Sequence, residues 1–128
     1  MILDDLAGIL VAANLGTEGT DLIKGRAPEE PHSLVAIIPY GGPGPLRTHS
    51  GTDRRWPRIQ IVSRDFDPEQ AYQKAEDIRA VFVAFPQQQI GDIVYEAIIP
   101  LSEPQPLARD VHGRTVVAIN YEVRWHLG

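Results

Sequence analysis

The sequence predicts an α+β fold: a mainly antiparallel sheet of four to five strands with two helices packed on one face, in the order α-β-β-β-α-β-β. Three observations carry that prediction. Two segments, one at the N-terminus and one after Asp67, repeat apolar residues at helical spacing. Segments beginning near residues 34, 58, 93 and 115 are instead rich in β-branched residues, either continuous or alternating. The chain has 128 residues, 43% apolar and 23% charged, so residues 1–128 read as a single domain with a core of its own.

Met1 to Asn14 is the first helix. Ile2, Leu3, Leu6, Ile9, Leu10 and Ala13 form one stripe, Asp4 and Asp5 suit the positive end of the helix dipole, and Gly16 is the stop signal. Thr20–Gly25 is a short strand with thin apolar content, and Arg26–His32 is a loop with two prolines and two acids. Leu34–Ile38 is an apolar strand buried on both faces. Tyr40–Trp56 follows, and its four glycines and two prolines exclude a regular element. A stretch of that length is usually functional or disordered.

Arg58–Arg64 alternates, with Ile59, Ile61 and Ser63 on one face and Arg58, Gln60, Val62 and Arg64 on the other. The second helix starts at an Asp67 N-cap with Pro68 at N1 and Gln70 completing a capping-box-like pattern; Ala71, Ala75, Ile78, Phe82 and Phe85 are its stripe, and Pro86 ends it. Ile93–Ile99 and Thr115–His126 are the last strands, joined by a proline-rich connection and pairing as a hairpin. In the final strand Val117, Ile119, Tyr121, Val123 and Trp125 face one way, Ala118, Asn120, Glu122 and Arg124 the other.

With both helices on one face, the opposite face keeps Arg58, Gln60, Arg64, Asn120, Glu122 and Arg124, a mixed-charge row without aromatics. Such a row reads as a solvated or protein-docking surface, so Arg58, Gln60, Arg64, Glu122 and Arg124 are candidate interface residues. The Gly/Pro stretch supplies the other candidates for partner binding: Arg47, His49, Arg54, Arg55 and Trp56. A solvated loop, a protein-docking loop and a nucleic-acid contact are its three readings.

Composition narrows the chemistry. Without cysteine there are no disulfides, zinc fingers or thiol nucleophiles. No apolar run is long enough to cross a membrane, and the acidic start lacks the look of an export signal, so a cytoplasmic origin is expected. The net charge of −5 disfavours non-specific binding to phosphate backbones. The basic set is ten Arg to two Lys, which fits either interface use or genome composition. Gly41-Gly-Pro-Gly44 lacks the Lys-Ser/Thr and the helix of a phosphate loop. His32, His49, His112 and His126 have no metal-ligand spacing, and the Asp110–Gly113 stretch reads as a turn. A Ser33–His112–Asp110 triad has no nucleophile motif behind it. The expectation is therefore no catalytic residue, no metal and no cofactor, in a protein that is not an enzyme.

The order of several pieces is similar to one family. A buried strand runs into Pro39-Tyr-Gly-Gly42; an arginine-bearing loop then precedes Ile59-Gln-Ile61 and Arg64. A helix follows with Ala71-Tyr72 and Ala75 to Ile78, and Gly113-Arg114 stands six residues before Asn120-Tyr121-Glu-Val123. The pattern, from Ser33 to Arg124, resembles the minor capsid and tail terminator (tail completion) proteins of long-tailed phages. The chain departs from it at Leu107-Ala-Arg-Asp110, where a Leu-Gly-x-Asp turn is commoner, which leaves the shape of that turn open. The resemblance implies a virion protein at the head-proximal end of the tail, assembled in the host cytoplasm. Copies would close into a ring, a hexamer, that caps the tube, ends its polymerisation and joins the tail to the head–tail connector or stopper protein. Its partners would be itself, the tube protein and the connector. DNA would pass through without specific binding, and no membrane is involved. A head-side neck protein is the neighbouring reading; a small enzyme or nucleic-acid binder with a site assembled only in the fold is the remaining class.

Overall fold

A thirteen-residue strand near the C-terminus organises the molecule. The computed structural model describes residues 2–41, 46–47, 53–107 and 109–128, with backbone alone at 46, 47 and 53. Its elements are α1 (Ile2–Ala12), β1 (Leu22–Lys24), β2 (Leu34–Gly41), β3 (Leu46–Arg47), β4 (Asp53–Arg55), β5 (Arg58–Asp65), α2 (Pro68–Val83), β6 (Gln88–Ile90), β7 (Ile93–Pro100), β8 (Gln105–Pro106) and β9 (Thr115–Leu127). β9 is bordered along its whole length. β5 pairs with Thr115–Glu122 and β4 with Trp125–His126, while β8 pairs with Val117–Ala118 and β7 with Tyr121–Leu127. Because β7 overlaps both β5 and β4 on β9, it must lie on the other edge. β4 and β5 thus share one edge of β9, and β7 and β8 share the opposite one.

The architecture is α+β with two helices, but the sheet is larger than four to five strands and it is mixed. β1 runs parallel to β2, Leu22 opposite Val35, and β2 continues antiparallel to β5. Tyr40–Trp56 does contain regular structure: β2 extends to Gly41, and β3 pairs with β4. The Pro100–Gly113 connection likewise contributes β8. These additions are two or three residues long, and their ladders are completed by neighbours already in place. They therefore leave no alternating pattern in the sequence to read.

Both helices meet one face of this sheet. Leu6, Ala7 and Leu10 of α1 and Ala71, Ala75, Ile78 and Phe82 of α2 form one buried cluster with Val35, Ile37, Ile59, Ile61, Val117, Ile119, Tyr121 and Val123. Phe82 meets Tyr121 edge to face at 5.1 Å, and the buried Tyr95 hydroxyl donates to Asp5, fixing α1 to β7. Burial, then the bond to Asp5, raises the Tyr95 phenol far above its ordinary range; burial does the same to Tyr121, whose hydroxyl has no partner among the described residues.

Two helix ends differ in detail from expectation. α1 closes with Asn14 in the left-handed region (φ 61°), two residues before Gly16, and the Leu15 N–H returns to the Leu10 carbonyl at 3.0 Å. At α2, Asp67 caps the Glu69 N–H at 3.0 Å, but no box with Gln70 forms, because the Asp67 N–H already donates to Asp65 Oδ1 at 2.9 Å.

Candidate docking surface

β4 and β5 follow one edge of β9 with a break between them. The Val123 N–H donates to the Pro57 carbonyl at 2.9 Å, so residues 53–65 stay against β9 while proline, lacking an N–H, interrupts the ladder. β3 folds back on β4, making a small arm at this end of the sheet. The arm presents stacked arginines: Arg124 lies over the Trp56 ring at 4.7 Å, and Arg55 over Trp125 at 5.7 Å. A guanidinium over an indole is held there by the charge–quadrupole attraction, and Arg124 is held further by its bond to Glu122.

Carboxylates of the subunit set the rest. Glu96 sits where the β7–β9 register shifts; it accepts from His126 Nδ1 at 2.6 Å and pairs with Arg54 at 3.5 Å. Glu122, 6% exposed, accepts from Arg124 Nε at 2.9 Å and lies 3.9 Å from Arg58. Gln60 donates to Asn120 at 3.2 Å. The structure thus gathers Arg54, Trp56, Arg58, Glu122 and Arg124 on the face away from the helices and adds Glu96 and His126 there, whereas Arg55 lies with Trp125 on the helix face. Sequence reasoning passed over Glu96 and His126. Glu96 is the lone charge inside the apolar run Ile93–Ile99, which was the available signal. The Arg47 side chain and His49 lie outside the described residues.

The face opposite the helices is not a uniform polar row. Leu34, Ala36, Val62 and Ala118, with Ile38 and Val116, form a second apolar cluster there, and Trp56 brings an aromatic under Arg124. Arg64 is 6% exposed and engaged within the subunit. Its guanidinium donates to the carbonyls of Pro28 (2.6 Å), Pro31 (2.7 Å), Glu29 (3.2 Å) and His32 (3.3 Å). Beside it Arg114, 2% exposed, donates to Asp110 at 2.6 Å and to the Glu29 carbonyl. Burial, then the nearby Arg114 charge, lowers the Arg64 pKa. Burial raises that of Asp110, but N–H groups of Arg114 and His112 and the Arg114 guanidinium outweigh it and hold the carboxyl below its usual range. Asp110 thereby organises the Asp110–Gly113 turn expected from the sequence, with Gly113 in the left-handed region (φ 77°), while Ala108 of the preceding Leu107–Asp110 stretch lies outside the described residues.

An apolar groove of about 430 Å³ opens beside the arm, lined by Ile2, Leu3, Pro39, Pro57, Ile93 and Trp125 among others. Among the described residues no three His, Cys, Asp or Glu side chains gather to hold a metal, and no helix is long and apolar enough to cross a membrane. What the surface can do is dock: it offers pre-set cation donors beside an apolar hollow.

The molecule is a small α+β scaffold with an arginine- and tryptophan-bearing surface. The bacteriophage tail terminator protein family matches residues 9–125, and the chain belongs to that family. It is thus a structural protein of a phage-type tail. Among solved structures, a chain of the "Virion of native gene transfer agent (GTA) particle" shares the fold with a TM-score of 0.58 at 12% identity, covering 96% of this chain and 84% of that one. No curated protein matches the chain.

Proposed function

We propose that copies of this chain close into a sixfold ring at the head-proximal end of the tail. The ring caps the tail tube, ends its polymerisation and joins the tail to the connector on the head. The observation that carries this reading is the family match over nearly the whole chain. The arginines over indoles support it, because Arg and Trp are enriched where proteins contact one another. The tube protein and the connector are the partners on the two sides of the ring, and the net charge of −5 suits a passage that must let DNA slide without gripping its phosphates. Assembly takes place in the host cytoplasm. Negative-stain images of purified tails labelled through this protein should place an annular density at the end that meets the head. Label found only inside the capsid shell overturns the proposal.

A further inference from the structure

Two long strands of the sheet are covered over only part of their length. Among the described residues β1 follows β2 as far as Ile37, whose carbonyl accepts from the Gly25 N–H at 2.8 Å, and β6 pairs with β7 only over Ile93–Tyr95. One side of the backbone at 38–41 and at 97–100 therefore has no strand beside it. The outer side of β8 is open as well. An unpaired strand edge is a template for another chain.

The two longer openings suit each other. Ile38 aligns with Asn120 through Gln60, and Gly41 with Glu122 through Arg58, while Ile98 and Pro100 stand opposite Val123 and Tyr121. They lie level on the sheet. β5 and β7 are both antiparallel to β9, and β2 is antiparallel to β5, so β2 and β7 run in opposite directions. The β7 edge of one copy would thus continue the β2 edge of the next as an antiparallel pair. Such a head-to-tail contact adds copy upon copy unless its rotation closes.

Proline stands where each edge would have to donate. Alternate residues of a strand turn their backbone groups to the same side. Val35 donates to the Asp21 carbonyl at 2.8 Å and Ile37 accepts on that same side, so position 39 also faces outward, and it is Pro39. Leu101 donates to Asn120 of β9 at 2.8 Å, which turns position 100 away from β9, and it is Pro100. Leu107 donates to Val116 of β9 at 2.8 Å, which turns position 106 away, and it is Pro106. A proline has no N–H to give a neighbouring strand. β2 and β7 are each also broken by a register shift, between Pro39 and Gly41 and between Tyr95 and Ala97, which spoils an edge for regular pairing.

We infer that Pro39, Pro100 and Pro106 block strand addition at the open edges, so that contacts between copies fall to side chains and not to a continued sheet. The block is a property of one subunit, so the ring reading stands or falls separately.

Restoring the N–H groups in the full chain tests this. In P39T/P100T/P106T, threonine supplies the donor and favours extended backbone without adding an apolar side chain. With circular dichroism showing a folded subunit, sedimentation should report self-association tighter than wild type by about tenfold for each amide that pairs. Hydrogen exchange should show the new protection confined to residues 38–41, 97–100 and 105–107. A folded variant that associates like wild type, or that associates without protection at these edges, refutes the inference. Pro39 and Pro106 are exposed, so P39T and P106T keep the fold even where the triple variant does not. Tighter association with edge protection in either single variant then upholds the block, and wild-type behaviour in both refutes it.

Discussion

Replacing Arg64 by Met removes the donor that holds the loop from Pro28 to His32 against the sheet. Two of its four contacts, to the carbonyls of Pro28 and Pro31, are tight at 2.6 and 2.7 Å; the others are longer. A hydrogen bond from a charged donor contributes about 1.5–3 kcal/mol net, so the tight pair alone accounts for roughly 3–6 kcal/mol. Two effects reduce the loss. Water reaches the freed carbonyls because Glu29, Glu30 and His32 are exposed, and the repulsion between Arg64 and Arg114 disappears. A net destabilisation of about 3 kcal/mol remains. With about 2.1 cal/mol/K of unfolding entropy per residue over 128 residues, each kcal/mol lowers Tm by about 4 °C, so the variant should melt about 11 °C below wild type. Hydrogen exchange should locate the loss of protection in the loop. Arg64→Lys should recover less than half of the difference, because an ammonium keeps the charge but lacks the planar fork that spans several carbonyls. A fall of under about 3 °C for Arg64→Met, or full recovery by lysine, would refute the reasoning.

Asp110→Asn should matter most near neutrality. The folded carboxyl lies below its ordinary value, so its contribution is fully present above an unfolded value near 3.9 and fades as pH falls through the folded one; the gap in Tm from wild type should narrow between pH 7 and pH 3. Tyr95 and Tyr121 act at the other extreme. Both have raised pKa values in the fold, so their contribution is intact below about pH 10 and is lost as the unfolded phenols ionise above it. In an alkaline absorbance titration, two of the four tyrosines should ionise only together with unfolding, and four independent, early ionisations would contradict their burial. Finally, wild type should show no measurable duplex DNA binding at physiological salt, despite its arginine arm; binding with a steep salt dependence would favour the nucleic-acid reading instead.

Much of the fold was legible where a periodic pattern met burial on one side. β5 and β9 alternate because one face meets the helices, and the faces predicted for Ile59 and Ile61, and for Val117 to Val123, are the ones buried. The arm was not legible. β3 and β4 hold their strands through ladders with each other and with β9, and Gly and Pro nearby hid them. The site was half legible. Arg54, Arg55 and Trp56 announced themselves as charge beside an aromatic, whereas their neighbours on β9 and β7 depend on register. Arg54 faces His126, and a shift between Tyr95 and Ala97 brings in Glu96; no local spacing encodes either relation.

The excess of arginine over lysine gains a physical reading from these contacts. Arg64 and Arg114 lie buried at one end of the β5–β9 ladder, each serving several acceptors from a single planar group. A lysine there would present one compact ammonium and leave most of those acceptors without a donor. Arg55 and Arg124 lie at the other end, stacked on indoles, which an ammonium does less well. The same residue type therefore does opposite jobs along one strand pair. Near Thr115 the guanidinium groups turn inward and fasten a loop to the sheet; near Trp125 they lie over indole rings at the more exposed end. The inward pair gives the subunit a fixed frame, and the indole-bound pair is anchored on that frame by rings of the same subunit. Anchoring a long charged side chain on an indole in this way removes rotamer freedom that a free surface arginine keeps.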